Sequence, residues 1–319
     1  MAPTSFYDRL RQFYSTPEPK APEFSTTAAV LVLVVYTLIY VLPFYISATT
    51  RPSPQLSRDA PSVIRNRIRS VTASCMLCCI STLLILSTRD DGSPTKAIHQ
   101  MGYFPLGIQE SLQAVALTAI LFLGPLFEAG VVEGGWRDWI LLRGLDNVGP
   151  VTEEVLFRSA SVPLLLLSQT SNFTIVFLTP LVFGLAHIHH FYEFRITHPY
   201  TPVAGALLRS LLQFTYTTLF GGYATFLYLR GGSLLSVILV HAFCNWLGFP
   251  RFWGRVTAGE SVIGPDIGEG KRTEDQTSPS HKLSIAWTII YYVLLFIGAV
   301  GWWKLLWPLT ESSQALTKF

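Results

Sequence analysis

Three short stretches of this chain place ionisable and amide side chains at helical spacing within apolar sequence. TEEVLFR carries Glu153, Glu154 and Arg158; FGLAHIHHF carries Phe183, His187, His189 and His190; VILVHAFCN carries His241 and Asn245. Residues four apart share one side of a helix. Glu154 can therefore pair with Arg158, Phe183 lies one turn below His187, and His241 and Asn245 offer two hydrogen-bonding groups on one face. Water attacks a carbonyl when a base takes its proton and donors hold the oxyanion. A Glu with a His can do the first without a nucleophilic Ser or Cys. A second His with an Asn one turn on can do the second. Alternatively, Glu, His, His and Asn could hold a Zn²⁺ with an open position. The HExxH zinc-protease signature and the GxSxG nucleophile elbow are both absent from the sequence.

The elements that carry these residues follow from composition. Half of the 319 residues are hydrophobic, 13% are charged, and the mean hydropathy is +0.40. A soluble domain carries about 25% charged residues, and a disordered chain could not keep so much apolar surface in water. A helix needs about 20 apolar residues to cross a bilayer, so eight spans would use ~160 residues. The expected fold is all-α: a multi-pass transmembrane helical bundle of about eight spans. The spans read as roughly 25–48, 71–88, 109–128, 152–168, 173–190, 204–229, 233–249 and 284–307. Residues 1–24 form a polar N-terminal segment with no apolar core, so no cleavable signal peptide is expected before the first span. Residues 25–307 form the membrane domain, with a catalytic core at about 130–250, and 308–319 form a C-terminal tail. No repeat and no separate soluble domain is expected.

Charge bias orients the bundle. Arg51, Arg58, Arg65, Arg67 and Arg69 follow the first span, and the polar stretch from Arg251 to Lys282 adds Arg255, Lys271 and Arg272. With eight spans both stretches fall on one side, the cytosol by the positive-inside rule. The net charge of +3 is small and scattered, which argues against a nucleic-acid partner. Cys75, Cys78, Cys79 and Cys244 read as helix packing, not as a disulfide framework. An ionisable group at bilayer depth costs about 2.5–3.5 kcal/mol, so the three polar stretches should point inward to a cavity that admits water. Each stretch alone has a plainer reading: a charged helix start, an interfacial aromatic-and-His belt, or interhelical hydrogen-bond glue. Together they form a working set for attack on a carbonyl.

In order and on successive apolar helices, E-E-x-x-x-R at Glu153–Arg158, F-x-x-x-H at Phe183–His187 and H-x-x-x-N at His241–Asn245 resemble the type II CAAX prenyl endopeptidases. These are the Ras and a-factor converting enzymes of the wider ABI/CPBP intramembrane protease family. The resemblance is firm over about 130–250 and architectural elsewhere. It implies that Glu153 is the catalytic glutamate, that His187 helps it activate water, and that His241 and Asn245 form the oxyanion hole. Glu154 and Arg158 would orient the site with Phe183 in support, while His189 and His190 lie outside the pattern.

The resemblance further implies removal of the last three residues from proteins ending in a prenylated Cys-a-a-X, such as Ras-like small GTPases and prenylated peptide pheromones. The reaction would take place in the endoplasmic reticulum membrane, in a polar cavity open to both cytosol and bilayer, without metal or cofactor. A prenyl chain gains about 0.8 kcal/mol per buried CH₂, so it brings the scissile bond to the bilayer. Two other readings stay open on sequence: a related intramembrane protease, zinc-dependent or not, with unprenylated substrates, and a non-catalytic transporter or scaffold.

Overall fold

The computed structural model describes residues 24–53, 60–89, 93–136, 149–257 and 283–319. Among them there is no β-strand. Helix α1 (Thr26–Val41) starts at Ser25, whose hydroxyl accepts from the Ala28 N–H, and a short turn at Pro43–Ile46 follows it. Helix α2 (Pro61–Arg89) runs for 29 residues. Its first turns include Arg65, Arg67 and Arg69, which the sequence reading had placed in a loop. Helix α3 (Ile108–Leu121) then bends by 81° into Leu123–Val132. The break falls at Phe122, where Pro125 has no N–H to offer the Leu121 carbonyl four residues before it.

The expected span at 152–168 is three pieces: α4 (Gly149–Glu154), a π-helical turn at Val155–Ala160, and α5 (Val162–Leu167). Pro163 explains the break, since it cannot donate to the Ser159 carbonyl. The expected span at 173–190 is α6 (Asn172–Ala186), capped by Ser171 and closed by His187, with α7 (His189–Thr197) following at once. Helix α8 (Val203–Gly231) ends at Gly232, whose φ of 60° is the left-handed conformation that glycine takes freely. Ser233 caps α9 (Leu234–Leu247), and α10 (Ile285–Leu309) is the last helix. The N-terminal segment to residue 23 and most of the polar stretch, 258–282, lie outside the described residues.

Among the described residues, four stretches are long and apolar enough to cross a bilayer: Thr26–Ile46, Pro61–Arg89, Asn172–Thr197 and Ile285–Leu309. The bent pair from Ile108 to Val132 makes a fifth if it counts as one span. The protein is therefore a multi-pass membrane protein. Helix α8 is long enough, but Arg209, Ser210, Gln213 and the Thr215–Thr218 run keep it too polar to stand out as a span. The outward faces carry Leu31, Leu77, Leu84, Phe296 and Trp303, each more than half exposed, as a lipid-facing surface requires.

The centre of the bundle is the α4–α5 segment. Leu156, Ala160, Leu164 and Leu165 have no exposed surface, and Cys75 and Cys78 of α2 pack into the same core. Helix α6 lies along α8 in the most extensive helix pair of the fold. Their close approach depends on two glycines, the small-residue packing that membrane helices favour. A Cβ at Gly184 would stand 2.5 Å from Thr218 Oγ1, and one at Gly221 would stand 3.0 Å from Pro180 Cβ and 3.3 Å from Arg158 Nη2.

Candidate active site

Glu154 is the last residue of α4 and is wholly enclosed. Arg158, one turn further along the π-helical segment, is buried as well. Its Nη1 donates to Glu154 Oε1 at 3.0 Å, and its Nη2 donates to the Gly221 carbonyl of α8 at 3.2 Å. The guanidinium also lies over the Phe183 ring, 4.8 Å from the centroid. A buried charge is tolerable only when paired and hydrogen-bonded, and Arg158 has an acid, a carbonyl and an aromatic face around it.

His241 of α9 joins this group from the other side. Its Nδ1 stands 2.7 Å from Glu154 Oε1, the same oxygen that receives Arg158. A carboxylate only accepts, so His241 carries a proton on Nδ1. Its other nitrogen, Nε2, faces Glu153 Oε2 at 3.9 Å. Glu153 is not enclosed like its neighbour: its side chain keeps 23% of its surface exposed. The two adjacent acids thus divide their surroundings, with Glu154 locked in the core and Glu153 partly exposed.

His187 closes α6, and its Nδ1 donates to the Phe183 carbonyl at 2.8 Å. A carbonyl also only accepts, so the Nε2 of a neutral His187 keeps its lone pair. The Phe183 ring meets His187 edge-on at 4.7 Å and His241 at 6.4 Å, which sets one aromatic spacer between the two imidazoles. Phe220 of α8 packs against the other side of His241 at 4.5 Å. Asn245 stands one turn beyond His241 on α9, half-buried, and no hydrogen bond to a described residue occupies its amide.

Glu153, Glu154, Arg158, Phe183, His187 and His241 are thus joined by direct contacts that run through three separate helical segments. Glu153 and His187 make no ion pair with each other; the imidazole facing Glu153 is His241. One partly exposed acid with two imidazoles and an amide one turn away suits water-mediated attack on a carbonyl.

Sequence relatives bear on which carbonyl. A family model described as type II CAAX prenyl endopeptidase Rce1-like matches residues 136–247, the stretch that holds every candidate residue. The probable CAAX prenyl protease 2 of Schizosaccharomyces pombe is 33% identical over 289 residues, which cover 88% of this chain and 92% of that protein. The chain belongs to the type II CAAX prenyl endopeptidase family. The human CAAX prenyl protease 2 is 35% identical over 214 residues, 61% of this chain and 64% of that protein. The Saccharomyces cerevisiae protein of that name is 28% identical over 309 residues, 85% of this chain and 92% of that one. No solved structure matches the chain.

As a CAAX prenyl endopeptidase the chain is a hydrolase, and the structure adds supports that sequence reasoning passed over. Phe220 and the Gly221 carbonyl frame His241 and Arg158 from α8. The signal for them was the Gly221-Gly222 pair, which marks close helix packing. Thr152, just before the two acids, bonds the Tyr40 hydroxyl of α1 at 3.1 Å, and its carbonyl accepts from Cys75 Sγ of α2 at 3.3 Å. Those contacts fix α4 from two sides, and no spacing within TEEVLFR announces them.

Proposed function

We propose that this CAAX prenyl endopeptidase removes the aaX tripeptide from proteins ending in a prenylated Cys-a-a-X, through water activated by Glu153 and His187. The observation that carries this reading is the division of labour around His241. Glu154 and Arg158 hold its Nδ1 side, while its Nε2 points toward the open Glu153. His187 presents a ring nitrogen able to accept the proton of water, because its Nδ1 is committed to Phe183. His241 and the unoccupied amide of Asn245 then donate to the tetrahedral oxygen.

The substrate class follows from the family and from the lipid-facing bundle. Ras-like small GTPases and prenylated peptide pheromones are the proposed partners, in the endoplasmic reticulum membrane. A transporter or scaffold is set aside by family membership, and unprenylated substrates remain the competing reading. The decisive assay is tripeptide release by purified protein from a farnesylated Cys-a-a-X peptide, beside its unprenylated counterpart. Release from the farnesylated peptide alone, abolished in Glu153→Ala and in His187→Ala, is expected. Equal cleavage of both peptides would refute the prenyl requirement, and full activity of either variant would remove that residue from the mechanism.

We also propose the full eight spans, counting the broken α4–α5 segment, α8 and α9, with the site facing the cytosol. The support is which ends meet. Arg67 at the start of α2 bonds Glu193 at the end of the α6–α7 stretch, and Arg251 after α9 bonds Glu128 after α3. At the opposite end Thr26 meets Thr170, and Asn172 meets Lys318. An eight-span count puts each of these pairs on one side. Cysteines placed in 258–282 should label from the cytosolic face of intact microsomes; their protection would overturn the count.

A further inference from the structure

Two histidines that the carbonyl chemistry does not use, His189 and His190, form a group with Glu193. His189, His190 and Glu193 occupy the first turns of α7, with Glu193 four residues after one imidazole and three after the other. That spacing turns all three to one side of the helix. One ligand atom from each lies within 4.8 Å of the other two. The two rings are 4.0 Å apart between centroids.

The contacts behind these groups are those that prepare metal ligands. His189 Nδ1 donates to the Ala186 carbonyl at 2.5 Å, which leaves the lone pair of a neutral ring on Nε2. Glu193 is 3% exposed, and its Oε1 accepts from Arg67 Nη2 of α2 while its Oε2 accepts from His190 Nδ1 at 3.2 Å. Ligating imidazoles in proteins commonly give their second N–H to a carbonyl, and ligating carboxylates are themselves hydrogen-bonded. The group stands beside the reaction site without belonging to it: His190 is 5.7 Å from His187 between ring centroids, and neither His189 nor His190 contacts an acid of TEEVLFR through an ion pair or hydrogen bond.

We infer that His189, His190 and Glu193 form a binding site for a divalent transition-metal cation, separate from the carbonyl-attack centre. Two imidazoles and one carboxylate with open positions suit Zn²⁺, Co²⁺ or Ni²⁺. Mg²⁺ and Ca²⁺ prefer all-oxygen cages and should not compete. Binding exchanges the His190–Glu193 hydrogen bond for two metal bonds and leaves Arg67 on the other carboxylate oxygen. Because the ion sits outside the hydrolytic set, the inference stands or falls apart from the proposed mechanism.

The test uses the full chain in detergent, washed with chelator and titrated with Co²⁺, whose visible absorption reports coordination. Zn²⁺ affinity is read by competition. One Co²⁺ per chain is expected, displaced by Zn²⁺ and indifferent to Mg²⁺. His190→Ala and His189→Gln should each weaken binding at least about 10-fold at an unchanged melting temperature, whereas Glu153→Ala should bind as the parent does. Absence of a Co²⁺ spectrum would overturn the site. So would parent-like affinity in the double histidine variant, and loss of binding in Glu153→Ala would move the ion to the catalytic group.

Discussion

Nδ1 of His241 stands 2.7 Å from Oε1 of Glu154, on the oxygen that also receives Arg158. The contact joins α9 to α4 across 87 positions of sequence and fixes which ring nitrogen faces Glu153. Glu154 is thus the hinge of the site's geometry, although Glu153 is the more exposed of the two acids.

Glu154→Gln keeps the shape of the side chain and removes the charge that orders His241 and Arg158. Tripeptide release should fall by about 10²-fold or more, the scale of a misplaced acid–base group. Glu154→Ala should also cost about 3–5 kcal/mol of stability, because it strands a buried guanidinium. Thermal melts in detergent beside kcat measurements separate the two effects. Parent-like turnover in Glu154→Gln would show that the His241 contact is structural only.

Asn245→Ala should be milder than loss of Glu153, His187 or His241. One oxyanion donor is worth about 10²–10³ in kcat, and the effect should fall on kcat while KM holds. A raised KM at constant kcat would place Asn245 in substrate binding instead.

Asn172 begins an N-F-T glycosylation pattern that should stay unmodified. Its Nδ2 donates to the Lys318 carbonyl at 2.7 Å, and its Oδ1 accepts from Thr317 Oγ1 at 3.0 Å, so both ends of the amide are engaged. Endoglycosidase treatment of the membrane-expressed protein should leave its gel mobility unchanged. A mobility shift that disappears in Asn172→Gln would contradict this.

Contacts within one helix were legible in the sequence, and contacts between helices were not. The four-residue rule predicts Glu154 with Arg158 and Phe183 against His187, and both pairs are present. No spacing rule predicts His241 on Glu154 or Arg67 on Glu193, because those depend on how separate helices pack. Hydropathy finds α1, α10 and the apolar part of α2 at 71–88, whose outer faces carry exposed apolar side chains. It misjudges α4–α5, where Pro163 breaks a span into pieces, and the ends of α6, where the apolar run continues past the turn at His187. His189 and His190 stand out in the sequence, but Glu193 does not, and its partner Arg67 comes from a helix start where a loop is expected.

The proposed hydrolysis needs carboxylate and imidazole groups and no metal. The proposed mechanism uses each group once: Glu153 and His187 on the water, His241 and Asn245 on the oxyanion, and Arg158 holding Glu154. The most direct measurement is cleavage of a farnesylated Cys-a-a-X peptide by the purified protein after exhaustive chelation. The account predicts undiminished tripeptide release, still abolished by Glu153→Ala. Loss of activity on chelation, restored by stoichiometric Zn²⁺ in a protein lacking His189 and His190, would contradict it and make His187 and His241 metal ligands.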